Sequence, residues 1–102
     1  MRYSLIIRPE AESDLREARR WYEKRRKGLG HDFVLCIEAG IESIQENPSL
    51  CPVVHGCIRR KLVRRFPFGI FYVVRESTII ILAIMHCRRN PVEWMRRAGR
   101  DG

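Results

Sequence analysis

At 102 residues, with 20 Lys or Arg against 12 Asp or Glu, the chain carries a net charge of +8, and its length suits one core rather than a two-domain enzyme with a cleft. The content of 45% hydrophobic and 31% charged residues is that of a folded globular chain and excludes a disordered or fibrous one. No apolar run approaches the roughly 18 residues of a membrane span, so no membrane partner is expected.

Residues 2–8 set Tyr3, Leu5 and Ile7 against Arg2, Ser4 and Arg8, which predicts a short strand ended by Pro9. Pro9 also suits the first turn of a helix, where Glu10, Glu12 and Asp14 complement the helix dipole. Ala11, Leu15, Ala18 and Tyr22 then form one apolar stripe, predicting a helix to about residue 27 that Gly28 and Gly30 stop. A second helix is predicted from His31 or Asp32, carried by Phe33, Ile37, Ile41 and Ile44, until Asn47-Pro48 closes the helical hairpin. Residues 48–56 have no sustained period and read as a surface loop. Strands are predicted over 58–63, 69–75 and 78–86 in a meander, with a tight connection at Arg75-Glu76-Ser77 and a break at Pro67, which cannot donate to a ladder. Asn90 then caps a short helical turn, with Pro91 at its first position, Glu93 at its third, and Trp94 on it. This order predicts one α+β domain over 1–102: an N-terminal strand, a two-helix hairpin, then a three- to four-stranded antiparallel meander, with helices packed on one face of the sheet.

The charge is uneven. Residues 1–47 hold nine basic and nine acidic residues, whereas 48–102 hold eleven and three, so the whole excess lies in the second half. Seventeen of the basic residues are Arg, whose planar fork suits phosphate or carboxylate, and an anionic partner follows. The densest cluster is Arg59, Arg60, Lys61, Arg64 and Arg65. In a strand Arg59 and Lys61 face one way and Arg60 the other, so a single patch needs help from Arg88, Arg89, Arg96 and Arg97. Such a strip suits a phosphate backbone or an acidic protein segment, and its plain alternative is a solvated strand face. Cys36, Cys51, Cys57 and Cys87 match no zinc spacing and no disulfide framework, so reduced thiols are expected, with Cys51–Cys57 the one candidate bridge. No metal or cofactor is implied. The first ten residues lack a secretory pattern, which makes the cytoplasm the expected compartment.

Pro9-Glu10-Ala11 and Asp14-Leu15 open the first helix, Trp21-Tyr22 stand near its end, and Gly28-Leu29-Gly30 with Phe33 form the turn before Asn47-Pro48. Further on come Arg59-Arg60, Arg65-Phe66-Pro67-Phe68, Ile70, Tyr72, His86, Arg88-Arg89, Pro91 and Trp94. Nearly end to end, this order resembles the RelE/ParE toxins of bacterial type II toxin-antitoxin systems, in their ParE-like branch. Against the family pattern, Phe68 replaces the more usual Tyr and Asn90 an Asp. Gly69 stands where RelE-like nucleases commonly carry Arg, and Trp94 replaces a C-terminal Tyr found in some of them. The resemblance implies a toxin that inhibits DNA gyrase and is neutralised by a cognate antitoxin in a hetero-oligomer. Its alternatives are a ribosome-dependent mRNA endonuclease and a toxin-fold protein that only binds its antitoxin. The apolar stripe of Leu15, Ala18 and Tyr22, with Trp21, is the expected antitoxin site if it extends into a groove for an amphipathic helix. Target binding is expected of Arg59, Arg60, Lys61, Arg64, Arg65, Arg88, Arg89 and Trp94.

Metal-independent RNA cleavage needs a base, an acid and cations around the developing phosphorane charge. In an enzyme His86 would take the proton roles, with Arg59, Arg65 and Arg89 as the cations. The competing reading of His86 is structural: it ends the last strand and anchors the following loop through a hydrogen bond. His31 and His55 read as surface or turn residues. Trp21, Tyr22 and Trp94 suit base stacking, but their spacing favours packing, with Tyr22 in the core and both Trp at its edge.

Overall fold

The computed structural model describes residues 3–99. Pro9 ends one element and begins the next: β1 (Ser4–Ile7) stops at it and α1 (Pro9–Arg25) starts on it, with Glu10 and Glu12 in the first turn and Lys24 and Arg25 in the last. α2 (Leu29–Glu46) begins earlier than its periodicity suggests, because Gly28 adopts φ 89° and reverses the chain at once. Both oxygens of Glu23 hold this turn, accepting from the Gly28 and Gly30 amides at 3.0 Å each. Those two bonds, Gly28 first, hold the Glu23 carboxyl below its ordinary range, and Arg19 and Lys27 add to the effect.

Three strands follow as an antiparallel meander, β3 (Ile58–Leu62), β4 (Phe68–Arg75) and β5 (Thr78–His86). Two further strands join it, giving the order β1-β5-β4-β3-β2. β1 lies parallel to β5, from Ser4 opposite Thr78 to Ile7 opposite Ile81, so the sheet is mixed. β2 (Val53–His55) arises within the segment that reads as a loop, because β-branched Val53 and Val54 follow directly on Pro52 and pair with the start of β3.

The ladder between β4 and β5 slips at a bulge: Phe71 faces Ala83 and Tyr72 faces Ile81, leaving Leu82 extra. Beyond this point the phase of β5 is inverted. Ile79, Ile81 and Ile84 belong to the core under the helical hairpin, whereas Leu82, Ala83 and Met85 belong to a second cluster. The uninterrupted apolar run thus serves two faces. On the first, Phe33, Ile37, Ile41 and Ile44 of α2 and Ala11 of α1 pack against Ile70 and Tyr72. On the second lies α3 (Pro91–Ala98), longer than the expected turn, capped by the Asn90 side chain accepting from the Val92 amide at 3.1 Å.

Where β1 stops, its partner edge on β5 is left without a strand. The Arg8 amide donates to the Ile81 carbonyl, and beyond it the Asp14 carboxylate accepts from the Ile84 amide at 3.0 Å while the Arg97 guanidinium donates to the Leu82 carbonyl at 3.0 Å. Asp14 and Arg97 also pair with each other at 2.6 and 3.2 Å. One ion pair thus satisfies the bulged edge and ties α1, β5 and α3 together.

Candidate functional site

Strand alternation and local bonding divide the basic cluster. Arg59 lies opposite Tyr72 on the hairpin side, and its guanidinium donates to the Ser49 carbonyl at 3.1 Å and to that of Cys51. The Tyr72 hydroxyl donates to the Pro48 carbonyl at 2.7 Å. Burial pushes that hydroxyl well above its ordinary range, a hydrogen bond with the Cys51 side chain adds to this, and Arg59 opposes it. Together Arg59 and Tyr72 fasten residues 48–51 to the sheet. One nitrogen of the Arg59 fork, Nη1, is thus committed to these two carbonyls.

Arg60 points to the other face, beside Phe71. Its stem crosses Gly69, where an added Cβ would lie 3.0 Å from both the Cγ and Cδ of Arg60 and 3.2 Å from a Phe71 ring carbon. No side chain fits there without displacing Arg60, and the buried Nε of Arg60 has no hydrogen-bond partner.

The remaining cations meet elsewhere. The connection after β3 carries exposed Arg64 and Arg65, Arg65 with φ 72° and 3.6 Å from Asp32. The turn after β5 carries exposed Arg88 and Arg89. A bond from the Cys87 amide to the Pro67 carbonyl, 2.8 Å, joins the two connections, so these four Arg sit on adjacent turns at one end of the sheet. Arg97 is consumed by Asp14.

His86 also belongs to this end. The Arg88 amide donates to its Nδ1 at 3.0 Å, which assigns the ring proton to Nε2 in the neutral form. Trp94 is buried, stacked on Phe71 at 4.5 Å and 19°, on the face opposite Tyr22. Trp94 thus packs within a second cluster rather than at the edge of the main core, and its burial does not suit the target contact expected of it. The amphipathic pattern of α3 directs Trp94, Met95 and Ala98 onto the second cluster.

The expected antitoxin stripe also turns inward. Leu15, Ala18 and Tyr22 pack against the main core, and of the four residues only Trp21 is exposed, at 52%. A groove is found instead between α2 and β3, about 420 Å³, lined by Leu35, Cys36, Ala39, Lys61, Leu62 and Arg64 among others. Leu35 and Leu62 are 49% and 56% exposed. β2 is too short to cover the adjoining edge: the Arg60 amide donates outward to the Pro52 carbonyl, and the same alternation turns the Leu62 amide outward beyond the start of β2. Exposed Leu at helical and strand positions was the available sequence signal for this groove. The four cysteines are free, Cys36 and Cys51 half-buried, Cys57 and Cys87 exposed. Among the described residues, no helix is long and apolar enough to cross a membrane, and no three His, Cys, Asp or Glu gather to hold a metal ion.

The fold recurs in bacterial toxins. A chain of the "Chromosomal ParDE TA system from P. aeruginosa" superposes with a TM-score of 0.74 at 22% identity, covering 82% of this chain and 95% of that one. E. coli toxin RelE, as a double Arg-to-Ala mutant in the free state, superposes with a TM-score of 0.68 at 11% identity, covering 99% and 98%. The class is thus a RelE/ParE-type α+β toxin fold. The family model described as "ParE toxin of type II toxin-antitoxin system, parDE" matches residues 5–91, and the chain belongs to that family. No curated protein sequence matches it.

Proposed function

We propose that this toxin acts by binding, with DNA gyrase as its target, and that a cognate antitoxin silences it in a hetero-oligomer. The observation that favours a binding inhibitor over an RNA-cleaving enzyme is the engagement of His86 Nδ1 by the Arg88 amide, which gives the ring a structural task in anchoring the turn. Neighbouring residues add little to such chemistry: Arg59 Nη1 is tied to two carbonyls, Gly69 bears no cation and an added Cβ there would press on Arg60, and the indole of Trp94 is neither an acid nor exposed. The exposed cations at this end, Arg64, Arg65, Arg88 and Arg89, suit an anionic protein or nucleoprotein surface. The groove beside Leu35 and Leu62, with Lys61 and Arg64 on its rim, suits an apolar antitoxin segment bearing acidic residues.

The test is a supercoiling assay with purified gyrase and toxin freed from its antitoxin, run beside an in vitro translation reaction probed for message cleavage. Supercoiling is expected to fall while messages stay whole. A folded His86→Ala variant should remain inhibitory, whereas Arg64→Glu combined with Arg88→Glu and Arg89→Glu should lose inhibition. Cut messages with normal supercoiling would replace this reading by a ribosome-dependent endonuclease. Silence in both assays with antitoxin binding intact would leave a protein that only binds its antitoxin.

A further inference from the structure

Trp21, Tyr22, Pro67, Phe68 and His86 line an open pocket of about 340 Å³, where the end of α1 meets the start of β4 and the end of β5. Its lining is almost wholly apolar. Packing within the chain explains Tyr22, which is wedged between Phe33 and Phe66 at 5.1 and 4.8 Å. It does not explain Trp21, which is left half in solvent although Leu15, Ala18 and Tyr22 of the same helix all turn inward. The Arg25 guanidinium lies 4.0 Å from the Trp21 ring centroid, so the rim of the pocket joins Trp and Arg, two of the residue types that carry most of the energy of protein–protein contacts.

Polarity, shape and charge together define the occupant. A polar or charged group entering this lining would give up water without gaining a partner, so the inserted group is apolar. The walls are rings in fixed relation: Trp21 and Tyr22 meet edge to face at 5.0 Å, Tyr22 and Phe68 lie 6.0 Å apart, and Phe68 and His86 lie 5.5 Å apart. Tilted rings of this kind take a further ring or a branched aliphatic group edge to face. The surroundings are cationic. Arg25 stands at the Trp21 wall, exposed Arg88 and Arg89 directly follow His86, and among the described residues no carboxylate lines the pocket. Chain on either side of the inserted group therefore meets positive charge, and acidic flanks complement it. The bond from the Cys87 amide to the Pro67 carbonyl makes the pocket continuous with the turns that carry Arg64, Arg65, Arg88 and Arg89, which sets it with the target surface rather than with the α2–β3 groove.

We propose that this pocket is a socket for one large apolar side chain, of the Phe or Leu kind, carried on an acidic segment of the toxin's protein target, with the flanking carboxylates met by Arg25, Arg88 and Arg89. The choice of target rests on the reading above, in which the exposed Arg at this end of the sheet meet gyrase; the preference for an apolar anchor between acidic residues rests on the pocket alone.

The chain has two tryptophans and Trp94 is buried on the opposite face, so Trp94→Phe leaves Trp21 as the sole emitter. The first probe is a blocked pentapeptide, Phe flanked by two Asp on either side, titrated into this variant with no gyrase or antitoxin present. A saturable blue shift of Trp21 emission is expected as the indole leaves water, weakened by salt and about tenfold weaker when the Phe is replaced by Ala or the Asp by Lys. No shift, equal shifts by the Phe and Ala peptides, or equal shifts by the acidic and basic peptides would overturn the socket. A second measurement decides its occupant. Immobilised wild-type toxin loaded with purified gyrase should release it when the acidic Phe peptide is added, and Trp21→Ala should weaken gyrase binding about tenfold while antitoxin binding is unchanged. Trp21 is exposed enough that its replacement leaves the core intact, which circular dichroism checks. Release of antitoxin in place of gyrase, or a folded Trp21→Ala variant that binds gyrase as tightly as the wild type, would overturn the assignment to the target. Wild-type toxin that binds no gyrase at all refutes the gyrase reading instead, and the peptide titration still decides the socket.

Discussion

Replacing Asp14 by Ala removes three bonds at one point: two to the Arg97 guanidinium, at 2.6 and 3.2 Å, and one from the Ile84 amide at 3.0 Å. The pair is largely shielded, with side-chain exposures of 12% for Asp14 and 20% for Arg97, so salt screens it little. Charge-assisted bonds of this kind contribute about 2 kcal/mol net, and the stranded Ile84 amide costs about 1 more, for a loss near 3 kcal/mol. For a domain of this size that corresponds to a fall of about 12 °C in Tm. Thermal and urea unfolding followed by circular dichroism measures the loss. Because α3 is held by the same pair, Trp94 emission should also shift to the red as its packing on Phe71 loosens. A double-mutant cycle with Arg97→Ala isolates the pair, and a coupling of about 1 to 2 kcal/mol is expected between residues in direct contact. An Asp14→Ala loss below about 1 kcal/mol, or strictly additive single variants, would refute the idea that this ion pair closes the bulged edge.

The Glu23 carboxyl is depressed by the Gly28 and Gly30 amides, so its contribution is complete above the ordinary carboxyl value of 4.5 and is lost as pH falls through the lower folded value. Acid titration of stability should therefore show a limb below that value that Glu23→Gln flattens, and identical limbs in both proteins would contradict it. At Gly69 an added methyl meets Arg60 carbons at 3.0 Å, and Gly69→Ala should destabilise by about 1 kcal/mol in urea unfolding, with a larger cost for Gly69→Arg.

Much of the fold was legible because its signals are local. Pro9, Gly28 and Asn47-Pro48 punctuate the helical hairpin, and the 3.6-residue recurrence of Phe33, Ile37, Ile41 and Ile44 selects the buried face of α2 without reference to any other element. Asn90 as a cap is equally local, since its side chain needs only the amide two residues on. The plain reading of His86 as an anchor for the following loop also describes the bond found, for the same reason.

Other features depend on distances that the sequence does not encode locally. Asp14 and Arg97 stand 83 positions apart, so the helix dipole accounted for one and a basic strip for the other. The run from Ile79 to Met85 is apolar throughout, and only the bulge at Leu82 decides which side chains meet the hairpin and which meet α3. The same holds for the cations. Composition dictates a basic surface, yet whether an Arg remains free depends on which carbonyl or carboxylate the packing brings within about 3 Å of its fork. Arg59 found two carbonyls and Arg97 a carboxylate, while Arg88 and Arg89, on a turn held by a backbone bond to Pro67, stayed exposed. Residue types and periods are properties of the chain, whereas partners are properties of the register, and register is set by which side chains the packed faces of the sheet bury.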